Sequence, residues 1–105
     1  FSAIADSTGL CVFGRSVTNT NLELIANTIN AAHDTRIDAE FILNIGRETL
    51  RLEHAFNVAA GFSDDDDELP AFFLEEPLAP TNKKARLHSG EVNRHMRQIE
   101  QRVAN

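Results

Sequence analysis

The sequence predicts an all-α fold of about four helices, arranged as an irregular bundle with a proline-rich extended segment. Apolar residues recur at steps of three and four along three separate stretches, which is the spacing of one face of a helix. Residues that favour helix ends flank these stretches. No run of β-branched residues alternates with polar ones at the period of two that indicates a strand.

The first part of the chain carries the signals of a helix end and of a complete helix. Residues 1–17 alternate small and apolar side chains around Gly9 and Gly14, which predicts a helix end that runs into a loop. We expect Gly9 to close that helix in the left-handed conformation. Thr20-Asn21-Leu22-Glu23 has the pattern of a capping box. It precedes a helical stripe of apolar residues, namely Leu22, Ile25, Ala26, Ile29 and Ala32.

A second capping-box pattern introduces the longest predicted helix. Thr35-Arg36-Ile37-Asp38 marks its start, and the helix is expected to run from about Ile37 to Ala59. Gly61 follows as the residue that ends it. Its stripe at steps of three and four consists of Phe41, Ile42, Ile45, Thr49, Leu52 and Phe56.

In the second half of the chain, the helical patterns are shorter and are interrupted by prolines and polar segments. The acidic run from Ser63 to Glu68 predicts a solvated helix start capped by Ser63, because carboxylates in a first turn suit the helix dipole. The run lacks the mid-loop glycine and the glutamate at position twelve of an EF-hand, which argues against a calcium loop. Pro77 and Pro80 predict an extended segment. A polar linker then leads to a last helix near Ser89, whose stripe is Val92, Met96, Ile99 and Val103.

Length and charge limit the classes of protein to consider. At 105 residues the chain forms one domain at most, and its start at Phe1 without a methionine suggests a piece of something longer. Ten Lys and Arg against sixteen Asp and Glu give a net charge of −6, which argues against binding to nucleic acid or to an anionic membrane surface. No apolar run reaches the roughly 20 residues that span a bilayer. A single cysteine excludes an internal disulfide and is typical of a cytoplasmic protein.

The single cysteine, Cys11, could be either a metal ligand or an inert structural residue. Its thiolate suits an iron–sulfur cluster or zinc, whereas a lone cysteine is more often a small buried apolar residue. Asp6, five residues earlier, is equally consistent with a helix cap or a solvated surface charge. The histidines show no ligand-like pairing with Cys11, and we interpret them as surface or interface residues: His33, His54, His88 and His95. The residues alone leave a metal ligand and an inert thiol both open.

Three stretches, in order along the chain, resemble the signatures of one enzyme family. Residues 6–11 read D-S-T-G-L-C and resemble a D-x-x-G-L-C motif. Residues 52–62 resemble L-E-x-x-F-N-x-x-x-G-F, and residues 67–78 resemble D-x-L-P followed by F-L-E-E-P-L. On these motifs the chain is similar to the C-terminal part of the tungsten-pterin aldehyde ferredoxin oxidoreductase family. His54 stands where the family tends to carry arginine, and the tail after Lys83 resembles the family only loosely.

The resemblance implies roles for four residues of the first stretch. Asp6 corresponds to an aspartate that accepts a hydrogen bond from a pterin amine, and Cys11 to the fourth ligand of a [4Fe-4S] cluster. Gly9 and Leu10 correspond to the turn that lets the backbone approach the cofactor. In the family the other cluster cysteines and the residues at the metal lie upstream, so the resemblance implies no catalytic residue here. It also implies that residues 1–105 are a single C-terminal helical domain fragment, part of a larger helical domain.

The activity implied by the resemblance is the oxidation of aldehydes to carboxylic acids. The family holds tungsten, or sometimes molybdenum, on two pterins and passes electrons through the [4Fe-4S] cluster to ferredoxin. The chain's partners would then be upstream domains of its own polypeptide. Alone, the chain is expected to be inactive and to bind no cofactor. It is also expected either to self-associate through exposed apolar surface or to be less ordered near Phe1 to Phe13. The alternative is a free-standing helical protein-interaction module without a cofactor, in which Cys11 is an inert core thiol.

Overall fold

The computed structural model describes residues 1–103, and the side chain of Val103, the last member of the predicted stripe, lies outside the described part. Within it every regular element is helical, which confirms the all-α prediction, and Leu78 and Lys83 form only an isolated antiparallel bridge. The α-helices are α1 (Ser2–Thr8), α2 (Arg15–Thr18), α3 (Leu22–His33), α4 (Ala39–Ala59), α5 (Ala71–Glu75) and α6 (Ser89–Val103). Two 3-10 helices cover Val12–Gly14 and Asp64–Asp67.

Four of the six α-helices in the described residues correspond to predicted ones, and the other two are short. The additional helices α2 and α5 have four and five residues, so each is about one turn long. A single turn holds too few positions to show a helical period. In residues 1–103 no helix combines the length and the apolar character needed to cross a membrane.

The two predicted capping boxes mark real helix starts, but the capping residue lies further along in each. Asn21, not Thr20, caps α3 by accepting a hydrogen bond from the Leu24 N–H at 3.1 Å. Asp38 caps α4 in the same way, so this helix begins at Ala39 and not at Ile37.

The side chain of Asn30 explains the later start of α4. Its Oδ1 accepts the N–H of Ile37 at 2.9 Å, and its Nδ2 donates to the Ile37 carbonyl at 2.8 Å. Both backbone groups of Ile37 are therefore occupied outside the helix. The hydroxyl of Thr35 also donates to Asn30, at 2.9 Å, so Asn30 fixes the turn between α3 and α4.

Helix α4 is the centre of the fold. Helices α1, α3 and α6 all pack against it, and the second 3-10 helix packs against α6. The buried core between α1, α3 and α4 is small and consists of Ile4, Ile25, Ala26 and Ile42. The principal extents of the chain are 52, 37 and 20 Å, and a helix is about 10 Å in diameter. The thinnest dimension therefore holds about two layers of helices.

The stripe predicted for α4 is only partly buried. Ile42 is fully buried, and Ile45 and Thr49 are half-buried. These residues face α1 and α3, whereas no described element covers the outer side of the helix. The other three members of the stripe, Phe41, Leu52 and Phe56, are exposed.

The acidic run is exposed, as predicted, but it is also bound to α6. Asn93 of α6 is buried and donates from Nδ2 to the carbonyl of Asp64 at 3.1 Å. Arg97 of α6 donates to Oδ2 of the same Asp64, also at 3.1 Å. At the start of α6, the Glu68 carboxylate accepts the Ser89 N–H at 2.9 Å. These contacts make the run a docking element for α6 and not only a solvated helix start.

Candidate functional site

The segment that carries Asp6 and Cys11 is the C-terminal end of α1 and the turn that follows it. Gly9 closes the helix with φ 70° and ψ 19°, which confirms the left-handed conformation predicted for it. The Leu10 N–H donates to the Ala5 carbonyl at 2.9 Å, so the last turn is satisfied by backbone hydrogen bonds. Gly9 thus ends the helix at a single residue, and a residue with a Cβ at position 9 would be strained.

The side chain of Leu10 anchors this turn, and Cys11 is left on the surface. Leu10 is half-buried and packs against the core cluster. Cys11 has extended backbone angles and caps the first 3-10 helix, in which its carbonyl accepts the Gly14 N–H at 2.9 Å. Its thiol is free and exposed. The structure therefore excludes the inert buried thiol for the described part of the chain and leaves the sulfur accessible to a ligand.

Asp6 presents an exposed carboxylate at the end of α1. The side chain of Asp6 makes no hydrogen bond or ion pair with another described residue. A carboxylate accepts hydrogen bonds and donates none, so it is suited to an amine-rich partner. Within residues 1–103, no group of three or more His, Cys, Asp or Glu is arranged to hold a metal ion. The described residues accordingly offer Cys11 as one ligand of a shared site, and not a complete site.

Helix α4 holds α1, and hence this segment, in position. Ile4 of α1 lies so close to Gly46 of α4 that a Cβ built on Gly46 would be 2.6 Å from its Cγ1 atom. The hydroxyls of Ser7 and Thr49 add a hydrogen bond of 2.9 Å between the same helices. This role of Gly46 was not predicted from the sequence. A glycine in the interior of a long helix is unfavourable by itself, and that cost is the signal that could have identified it.

Apolar side chains surround the candidate segment and are open to solvent. Phe13, two residues after Cys11, is 92% exposed, and Val17 is 60% exposed. A shallow cavity of about 200 Å³ lies nearby, between the end of α1, α2 and α3. Its lining is mainly aliphatic and hydroxyl-bearing: Thr8, Leu10, Thr18, Leu24, Ile25, Thr28 and Ile29. Exposed apolar surface of this kind marks a face that contacts another molecule or another part of the same one.

A second cavity, of about 240 Å³, lies at the other end of α4 beside His54. His54 Nδ1 and Glu100 Oε1 of α6 are 2.8 Å apart, so His54 joins α4 to α6. At the rim of this cavity, the backbone N–H and hydroxyl of Ser63 both donate to Asp66 and lower the pKa of its carboxyl. These polar groups are engaged in holding the fold together.

Comparison with known proteins gives a consistent result. Residues 1–100 match the family described as aldehyde ferredoxin oxidoreductase, domains 2 and 3. The chain is also 36% identical over 78 residues to a tungsten-containing aldehyde ferredoxin oxidoreductase of Pyrococcus furiosus. That match covers 73% of this chain but 13% of the relative, so the chain spans only a small part of the relative's length. No solved structure matches the chain significantly.

Proposed function

The chain belongs to the aldehyde ferredoxin oxidoreductase family, and we propose that it forms the C-terminal part of a tungsten- or molybdenum-pterin oxidoreductase. In this proposal Cys11 is one thiolate ligand of a [4Fe-4S] cluster, and Asp6 accepts a hydrogen bond from a pterin. The observation that carries it is the family match over residues 1–100, combined with the exposed and unpartnered state of both side chains.

The described residues are suited to such cofactors. The thiol of Cys11 is accessible and is a soft donor of the kind that iron–sulfur clusters require. The left-handed turn at Gly9 has no atom within 4 Å of where a Cβ would be, so the backbone there is open to a planar group. Leu10, anchored in the core, fixes this turn on α1. The chain would therefore orient two cofactors with one helix end.

The proposed activity of the whole enzyme is the oxidation of an aldehyde to a carboxylic acid. The reaction takes an oxygen from water and releases two electrons and two protons, and the metal with its pterins supplies this redox chemistry when bound. Cys11 would help to hold the [4Fe-4S] cluster, whose chemistry is one-electron transfer, here toward ferredoxin. The residues at the metal would lie in upstream domains, so residues 1–105 alone would be inactive. The location of the enzyme in the cytoplasm stays a prediction.

The alternative of a free-standing helical interaction module has weaker support. It required Cys11 to be an inert core thiol, whereas the thiol is exposed. It also leaves the family match over residues 1–100 without an explanation. We therefore favour the cofactor-binding part of a larger oxidoreductase.

The test uses the full-length enzyme and the substitution Cys11→Ser. We expect the variant to contain less iron and to lose or change the electron paramagnetic resonance signal of the reduced cluster, because serine is a poor substitute for a thiolate ligand. Ser16→Ala, at an exposed position five residues later, is the control and should leave both measurements unchanged. A Cys11→Ser enzyme with the iron content and signal of the unmodified enzyme would overturn the proposed ligand.

A second substitution separates the pterin contact from the cluster. Asp6→Asn replaces an acceptor-only group by one that also carries donors, so we expect a lower pterin and tungsten content with the iron content retained. Glu75→Gln, which also neutralises an exposed carboxylate, is the matched control. Unchanged pterin content in the Asp6→Asn enzyme would rule out this contact.

A further inference from the structure

The distribution of phenylalanine in this fold is unusual. All seven phenylalanines, which are the only aromatic residues of the chain, are exposed in the described part. The buried apolar residues are instead the small or aliphatic Ile4, Ala5, Ile25, Ala26 and Ile42. Phenylalanine is among the residues most often buried in folded proteins, because each ring removes a large apolar area from water. The surfaces that carry these rings are therefore expected to be covered in the complete protein.

The longest of these surfaces runs along α4. At 100° per residue, the positions of Phe41, Leu52, Phe56 and Ala59 fall within about 60° of one another, and they span about 27 Å of the helix. All four are exposed, and we call this surface the outer face of α4. The helices α1, α3 and α6 pack against other parts of α4. The outer face is the longest apolar stripe of α4 that they leave open in the described chain.

The one charged side chain that the described chain places within the outer face is already paired. Glu48 lies about 20° from Phe41 around the helix and between Phe41 and Leu52 along it, and its carboxylate accepts a hydrogen bond from Nε of Arg51 at 2.9 Å. This interaction lowers the pKa of the Glu48 carboxyl. An apolar partner that packs on the stripe would not have to bury an unpaired charge there.

We propose that the outer face of α4 is the surface on which the rest of the enzyme's own polypeptide packs, through an apolar element such as a helix. This inference rests on the proposed function only in taking the chain as part of a larger oxidoreductase. The matched residues make up 13% of the relative's length, so most of such a polypeptide lies outside the described part. An element of the same polypeptide is present at an effective concentration of about millimolar, which favours it over a second copy in dilute solution.

The test measures thiol labelling in the full-length enzyme with two substitutions on α4. Leu52 and Val58 are 55% and 56% exposed in the described chain, but they lie about 120° apart around the helix. Leu52→Cys and Val58→Cys would each be labelled with a maleimide, and the label would be quantified in the tryptic peptide of residues 52–83. That peptide contains both positions and no native cysteine, so the other thiols of the enzyme do not interfere.

We expect the thiol at position 52 to react at least about tenfold more slowly than that at position 58 in the native enzyme, and equally fast in denaturant. Ala59→Cys, a milder change on the outer face, should be protected like position 52 and serves if Leu52→Cys does not fold. A native rate at position 59 as fast as the rate in denaturant would overturn the proposal. Protection that disappears on dilution would also overturn it, in favour of a second copy.

The labelling result does not depend on the cluster. If Cys11→Ser leaves the iron content unchanged while position 52 is protected, the proposed ligand fails and the docking surface stands. If Cys11→Ser removes iron while position 52 labels freely, the proposed ligand stands and the docking surface fails.

Discussion

Ile4 of α1 occupies the space that a side chain on Gly46 of α4 would need. An ideal Cβ on Gly46 would lie 2.6 Å from Cγ1 and 3.3 Å from Cδ1 of Ile4, which is itself buried. The close approach of these two helices is what places the end of α1, with its candidate cofactor residues, on the surface of α4. The contact therefore links a packing requirement to the position of the site.

The substitution Gly46→Ala should loosen this contact. Overpacking a buried site costs about 1 to 3 kcal/mol, and the better helix propensity of alanine returns up to about 1 kcal/mol. We expect a net destabilisation of about 1 to 2 kcal/mol, measured by urea denaturation of the chain followed by circular dichroism. Gly90→Ala is the control, because a Cβ on Gly90 of α6 would meet nothing within 4 Å. Equal stability of the two variants would contradict the packing role.

The helices were predictable where local signals agree. For α3 and α4, a stripe at helical spacing follows a capping residue, and both helices form within two residues of the expected start. The end of α1 was predictable from Gly9 alone, since glycine is favoured in the left-handed conformation. The single-turn helices α2 and α5 offered no such period.

The contacts that assemble the helices were not predictable from the sequence. His54 pairs with Glu100 across 46 residues, and Asn93 bonds to Asp64 across 29 residues. Spacing rules reach only one or two helical turns, so they cannot identify such partners. The roles of Asp6 and Cys11 came from the family resemblance, and the structure adds that both side chains are exposed.

Asn93 is expected to be important for docking the second 3-10 helix on α6. It is 2% exposed and donates to the carbonyls of Asp64 and Ser89. Asn93→Ala should lower the free energy of unfolding by about 1 to 2 kcal/mol, because two bonds are lost while an Oδ1 without a described partner is also removed. Hydrogen exchange at residues 64–67 should become faster. Gln98→Ala, at an exposed position of α6, should leave both measurements unchanged.

The Glu68 carboxylate should make stability depend on pH. The backbone N–H of Ser89 donates to Glu68 and lowers the pKa of its carboxyl, with a smaller contribution from His88. A carboxyl with a lower pKa in the folded state binds fewer protons there than in the unfolded state, so it stabilises the fold above about pH 4.3. That contribution is lost as the pH falls through the folded pKa.

Glu68→Gln removes this dependence, because glutamine does not ionise. We expect unmodified chain and variant to differ most in stability near neutral pH and to converge as the pH falls below about 4. Urea denaturation between pH 3 and pH 7 checks this, with Asp65→Asn as the control in the same acidic run. A difference that stays constant over this range would show that the carboxylate charge at position 68 does not contribute.

Residues 1–105 expressed alone should self-associate through the outer face of α4. In the isolated chain Leu52 and Phe56 lack the covering element that we propose for the full enzyme, and burial of apolar surface stabilises association by about 25 cal/mol per Å². Sedimentation velocity at micromolar concentration should therefore detect dimers or larger species. Leu52→Glu combined with Phe56→Glu should shift the distribution to monomer, since pairing two such faces would bury unpaired charges. Val58→Glu, on another side of the helix, should not.

The thiol of Cys11 gives a second measurement on the same sample. Because it is exposed, it should react with a thiol reagent at a rate close to that of an unstructured peptide, in the monomer and in the associated species alike. A sharp monomer at all concentrations, with Cys11 unreactive, would contradict both the exposed apolar face and the accessible ligand. If Cys11 reacts but the chain stays monomeric, the prediction of self-association is wrong and that of an accessible thiol stands. The labelling depends only on the turn at Gly9, which leaves this thiol on the surface.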